Sequence, residues 1–336
     1  MSDLTTAQHQ RQNILNNRYA LQAAEQHLGL GGLAYAGETV FTKQQVTALF
    51  DISDATVERY LAQHGDELKA NGYRLLKGKS LKEFKDLMDV TLTNEGNKAP
   101  ILGLFNFRAV LNLAMLLTES ERAKAIRSRL LDIVMDVLAQ RTGGHTKYIN
   151  QRDDRYLTAT FQEQTYRKQF TDALDQWLVP NKWKYLRFTN LIYQSIFREN
   201  AAEYRKVLKL ATKDSIRETM YAEVLNLIAS YESGVAHELE RASNKAGRQL
   251  TMQEAEAVFA EFESHPLFRP LILDARTKMA SRDLGFRDAL HHKLEAYIQS
   301  VPEADFERFL GETSKSLEER LSDPETLAVF KRLKDR

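Results

Sequence analysis

"VTALFDISDATVERYL", Val46 to Leu61, decides how the chain is read. Val46 and Leu49 fall on one face of a helix, with Phe50 beside them. Ile52 follows in a tight turn. Ser53 is placed to cap a second helix whose apolar side carries Val57, Tyr60 and Leu61. This is the pattern of a helix-turn-helix, in which the second helix reaches base edges while the first braces it across the backbone. Thr56 and Arg59 then point outward, with Gln63 one turn further and Lys43 close by. The alternative is a helical hairpin in another role. Asp54 and Glu58, on the exposed face, repel phosphate, although a carboxylate can accept from cytosine N4.

The flanking segments set the fold class. Residues 6–28 are a polar helix with sparse apolar positions (Ile14, Leu15, Leu21, Leu28), expected as a leading arm that docks on a partner or on the back of the domain. Glycine turns at 29–32 and 37 flank Leu33, Tyr35, Val40 and Phe41, a short β-hairpin. The second helix of the pair stops near Gly65. "NGYRLL" is a strand after an Asn–Gly turn, and "SLKEFKDLMDV" a short helix. "VTLTNEGNKAPILGLFNF" reads as a second hairpin with its turn at Asn94–Asn97. "FRAVLNLAMLL" is apolar nearly all round and so buried. "SERAKAIRSRLLDIVMDVLAQR" is long and amphipathic along Ile126, Leu130, Ile133, Val134, Val137 and Leu138. Two glycines in "TGGHT" (142–146) then mark a boundary. Everything beyond reads as helix, including "FRDALHHKLEAYIQSV". The expectation is an α+β, mainly helical chain. Residues 1–35 form the arm, 36–145 a small domain with the helix pair and short hairpins, and 146–336 an all-helical region.

Composition narrows the function classes. The 336 residues carry 43% hydrophobic and 28% charged side chains, with 15 Gly and 6 Pro, as in a soluble helical protein. The absence of cysteine removes disulfides, thiolate zinc sites, iron–sulfur clusters and cysteine nucleophiles. No run approaches the ~18 apolar residues of a membrane span, and the polar N-terminus carries no apolar signal core. A cytoplasmic protein is expected. The net charge of +1 gives no general cationic field, so nucleic-acid contact needs local clusters. Residues 182–217 hold nine Lys or Arg against three acids, interleaved with Trp183, Tyr185, Tyr193 and Tyr204. Cations with aromatic faces suit phosphate contact and base stacking; the alternative is a solvated surface with the aromatics turned to the core. Residues 122–155 hold a second excess, eight basic against four acidic.

Several stretches carry a resemblance. "GETVFTKQQVTALFDISDATVERYL", followed by a strand, a hairpin, "FNFRAV" (105–110) and "IRSRLLDIVMDVL" (126–138), resembles RhuM-like virulence proteins and the BRO and KilA-N group of phage and mobile-element DNA-binding domains. It spans about residues 36–141, and the Trp of the group's second helix signature is missing here. "FTNLIYQSIFRENAAEYRKVLKLATKDSIRETMYAEVLNLIASYES" is similar to the helical C-terminal part of damage-inducible D-type proteins, which brings no catalytic residue. The resemblance implies a duplex-DNA-binding regulator of a prophage, mobile element or defence locus.

Phosphate-loop, dinucleotide, zinc-protease and nucleophile-elbow motifs are absent. "RDALHH" gives Arg287 and His292 the R-x-x-x-x-H spacing that resembles HEPN ribonucleases, in which the pair converges on a scissile RNA phosphate. The same spacing recurs in "RYLAQH" (Arg59 to His64). The structural reading puts Arg287 and Asp288 on the solvent face, with His291 or His292 packed on a neighbouring helix. The residues expected at DNA are Lys43, Ser53, Thr56, Arg59, Gln63, Lys182, Lys184, Arg187, Arg205 and Lys206. No catalytic residue, metal or cofactor is assigned. A homodimer is expected, because paired half-sites supply the specificity one short helix lacks. A DNA-repair or defence-system protein is a further expected partner. The rival classes are a modulator of a repair or recombination factor and an RNA-cleaving toxin.

Overall fold

A computed structural model describes residues 3–87, 100–311 and 322–324. The chain is mainly helical, with one four-stranded antiparallel sheet near the N-terminus. It forms two compact units, Met1–Val137 and Leu138–Arg336. The division falls inside a long helix, upstream of the glycines at 143–144.

In the first unit, helices α1 (Gln8–Asn16) and α2 (Arg18–Leu28) precede strands β1 (Leu33–Tyr35) and β2 (Glu38–Thr42). Helices α3 (Lys43–Phe50) and α4 (Asp54–Ala70) follow. Strand β3 (Tyr73–Lys77), α5 (Gly78–Leu87), strand β4 (Ile101–Asn106), α6 (Phe107–Leu116) and α7 (Glu121–Arg141) complete the order. Strand order is β1-β2-β4-β3. The β1–β2 turn uses Ala36 and Gly37, both at positive φ, the twist that a two-residue hairpin needs. Register alternation puts Phe41, Phe105 and Tyr73 on one face and Val40, Leu104 and Leu76 on the other. The first face joins a core built on α6, which is buried from Ala109 to Leu116, as its unbroken apolar run requires. The second face is covered by Leu81 and Phe84 of α5.

Three expectations are corrected here. The 6–28 segment is two helices, not one, and it docks on the domain, the second of its two expected seats. It breaks at Asn17, whose side chain caps α2 by accepting from Ala20 N, and Ile14, Leu15 and Ala24 join the core. Arg11 fastens it, with two 2.8 Å bonds to Glu67 and one of 2.7 Å to the Leu4 carbonyl. Second, the helical conformation does break at His64, close to the expected end, but a further helical stretch carries α4 on to Ala70, because Leu68 still finds the core. Third, the "second hairpin" is more than local. Its arm 101–106 is a central strand between β2 and β3, since both faces of Phe105 and Leu104 find apolar cover; the expected turn at 94–97 lies outside the described residues.

In the second unit, a 3-10 turn (Thr146–Arg152) leads into α8 (Asp154–Trp177), followed by α9 (Lys184–Phe197) and the short α10 (Ala201–Val207). Then come α11 (Ala222–Ala246), α12 (Met252–Glu263), α13 (Phe268–Phe286) and α14 (Glu303–Leu310). α8 and α11 run side by side in the same direction. Asn150 donates to the Glu218 and Met220 carbonyls at their starts, and Leu178 bridges Leu250 beyond their ends. The helix expected over "FRDALHHKLEAYIQSV" is absent. α13 stops at Phe286, Asp288 takes a positive φ, and His292–Tyr297 is a 3-10 turn. The chain breaks there because Arg287 and His291 both turn into the interior.

Candidate nucleic-acid interface

The α3–α4 pair is pinned at every end. Thr42 and Gln45 make a reciprocal cap at the start of α3. Asp51 takes a left-handed conformation at its end, and the Asp51 and Ile52 amides both donate to the Thr47 carbonyl. Ser53 caps α4, accepting from Thr56 N at 3.1 Å. Val46 and Phe50 of α3 and Val57 and Tyr60 of α4 are buried. The 118–122 segment braces both helices. Ser120 Oγ donates to the Phe50 carbonyl at 2.6 Å, Arg122 donates to the Ala48 carbonyl at 2.8 Å, and Tyr60 Oη donates to Glu119 at 2.7 Å. The outer side of α4 is left with Asp54, Ala55, Glu58, Arg59, Ala62 and Gln63 exposed.

The electrostatics of this face are more balanced than its spacing implies. Lys43 Nζ lies 3.0 Å from Asp54 and 2.9 Å from Glu58. The Glu58 hydrogen bond outweighs partial burial and raises the Lys43 pKa, so the ammonium is firmly charged. Arg59 pairs with Glu119 and lies over the Tyr60 ring, 5.2 Å from its centroid. Burial opposes the charge on Glu119. The bonds from Tyr60, from its own backbone amide and from Thr118, with Arg59 beside it, prevail and hold its carboxyl down at about 2. Thr56 is half-buried, its hydroxyl 3.0 Å from Ser53 Oγ. Lys43, Ser53, Thr56, Arg59 and Gln63 therefore gather on one helix pair, with Ser53 in a capping role. Thr118, Glu119, Ser120 and Arg122 lie about sixty residues away in sequence, and no spacing rule reaches them. Lys77 is exposed on the sheet face that also carries Tyr73. The basic run "RLLKGK" was its signal.

The 182–217 cluster does not form one cationic surface. Lys184 is buried, its Nζ 3.0 Å from the Leu174 carbonyl and 2.6 Å from Asp175. Arg187 is clamped by Glu256 at 2.8 and 3.0 Å. Arg205 donates to the Ala211 and Asp214 carbonyls and closes the loop after α10. Tyr193 and Tyr204 are core residues. Lys182, Lys206, Trp183 and Tyr185 remain at the surface, with Lys182 Nζ 5.1 Å from the centre of the Trp183 ring. Lys184 thus meets a carbonyl that the end of α8 leaves open, and Arg205 two carbonyls of the loop after α10, partners that a count of charges along the sequence does not show.

Arg287 and His292 do not converge either. His292 is exposed, whereas Arg287 is buried, contrary to its expected solvent position. The buried histidine is His291. Its Nε2 is 2.8 Å from Asp283 and its Nδ1 3.0 Å from Glu199. Tyr221 donates to Asp283 at 2.9 Å, and Arg287 lies 3.3 Å from the same carboxylate. Both imidazole nitrogens face carboxylates, which requires the doubly protonated ring. Burial lowers the His291 pKa, but the bonds to Asp283 and Glu199 outweigh it and raise it to about 9. This is a closed charge cluster without solvent access. Among the described residues no group of three or more His, Asp or Glu is arranged to hold a metal ion, and no helix is long and apolar enough to cross a membrane. Compared with family models, with curated proteins and with solved structures, the chain finds no match in any of the three.

Proposed function

We propose that the chain is a cytoplasmic DNA-binding protein that engages duplex DNA through α3–α4, in the regulatory setting that the RhuM-like, BRO and KilA-N resemblance implies. One observation carries the reading. A capped helix pair, joined by a three-residue turn and braced by Ser120 and Arg122, offers the outer side of α4 from a rigid sheet-backed core. Rigid support is what base reading demands, because a reading side chain must hold its place within a fraction of an ångström. Arg59, Thr56 and Gln63 face the bases or the phosphates beside them, and Lys43 and Lys77 the backbone. The second unit associates as a homodimer or binds a protein partner. Selection from a random duplex pool with the full-length protein, followed by a salt titration on the enriched sequences, tests this. Enrichment of a motif with a steep salt slope supports it; an unenriched pool with no retention at low salt removes it.

A second reading, a protein-interaction role toward a repair or recombination factor, is favoured by the acids Asp54 and Glu58 on the same face. Capture of a protein partner, abolished by Glu58→Arg in a chain that retains no DNA, would select that reading.

A further inference from the structure

Both cations bordering the outer half of α4 are already occupied by the chain's own carboxylates. Glu58 and Asp54 hold Lys43, and Glu119 holds Arg59. Glu119 is itself fixed. Besides Tyr60, it accepts from Thr118 Oγ1 at 3.0 Å and from the Thr118 amide at 3.2 Å. It belongs to the turn between α6 and α7 and not to α4, so its position beside Arg59 is set by the tertiary fold. A carboxylate on a guanidinium fills the position that a phosphate oxygen fills in a complex.

Resting on the DNA reading, we infer that Glu119 and Glu58 gate the interface: they stand in for phosphate on Arg59 and Lys43 and suppress sequence-independent binding. A phosphate that takes either cation must displace a carboxylate. The displaced carboxylate then regathers a cation from solution, and the counterion gain that drives non-specific binding is cancelled at that contact. Exposed ion pairs are individually weak, so a site that adds base contacts still completes the exchange. The gate thus raises the ratio of specific to non-specific binding, which is how a repulsive element supplies selectivity.

The test uses the full-length protein and a fluorescent mixed-sequence duplex, with affinity followed across a salt series. Glu119→Gln keeps an oxygen for Tyr60 and Thr118 and removes the charge. It is expected to bind the mixed duplex about three- to tenfold more tightly, with a salt slope steeper by about one. Arg59→Ala in the same chain is expected to erase that gain. Asp54→Asn and Glu58→Gln combined in one chain touch no core group, free Lys43 of both its carboxylates, and give the same readout there if Glu119→Gln fails to fold. Wild type that binds while both variants match it in affinity and slope would overturn the gate and leave the DNA reading standing. No binding by wild type or any variant removes the DNA reading, and the gate with it. Binding gained only in the variants supports both.

Discussion

Arg59 and His291 show opposite uses of a charged side chain. Arg59 is half exposed, and its pair with Glu119 contributes only about 0–1 kcal/mol to stability. Arg59→Ala is therefore expected to fold normally and to lose about three- to tenfold in affinity for an enriched sequence, with little change in salt slope, because Glu119 offsets the counterion release at that contact. An unchanged affinity on an enriched sequence would remove Arg59 from the interface. His291 is buried between two carboxylates. His291→Ala leaves Asp283 and Glu199 with less compensation, and breaking a buried pair in this way costs about 3–5 kcal/mol. Its neighbour His292 is exposed, so His292→Ala is expected to melt with wild type, and neither protein is expected to cleave RNA. RNA cleavage lost with both Arg287→Ala and His292→Ala, in folded chains, would reinstate a nuclease.

The β3–β4 ribbon depends on a close approach at the turn from α4 into β3. Gly72, between α4 and β3, has φ +104°, and an added Cβ would lie 2.1 Å from the Asn106 side chain. That asparagine caps α6 by accepting from Ala109 N at 2.9 Å. Gly72→Ala is thus expected to strain the turn and disturb the cap together, costing more than ~2 kcal/mol. Chemical denaturation of the variant beside wild type measures this; a loss below half that value would show that the turn relaxes freely. The α3–α4 pair was legible because its signals are local: apolar spacing and Ser53 at the cap. Lys184 and Arg205 were not, because composition counts charges without showing which carbonyl each one meets.

The second unit concentrates buried charge, and its stability should follow pH accordingly. The His291 pKa in the folded chain, about 9, stands above the ordinary 6.5. Its stabilisation is therefore fully present below pH 6.5 and is lost as pH rises through 9, on the order of 3 kcal/mol in all. The groups that face it are Asp283, Glu199, Tyr204 and, through Asp283, Arg287 and Tyr221. Both tryptophans, Trp177 and Trp183, belong to this unit, so their fluorescence reports its unfolding selectively. The urea midpoint by this signal is expected to fall between pH 6.5 and 9.5, and His291→Gln is expected to flatten that fall. A midpoint that stays level in wild type would mean that the ring is neutral in the folded chain.

Periodicity and capping chemistry are short-range, so they were enough for the mainly helical α+β class, the buried α6, the β1–β2 hairpin and the helix pair across 46–61. Long-range pairing was beyond them. The central place of β4, the docking of 8–28 into the core and the end of α13 at Phe286 each depend on side chains that meet across scores of residues. The same holds for function. The residues proposed to read DNA lie within one short stretch, but the carboxylate that holds Arg59 arrives from the turn before α7, and the histidine that matters to the interior is set apart from its neighbour by burial alone. Spacing orders side chains along one element; which of them keep their charge free is settled where elements meet, because an ion pair or a buried ring needs a partner that local sequence does not supply.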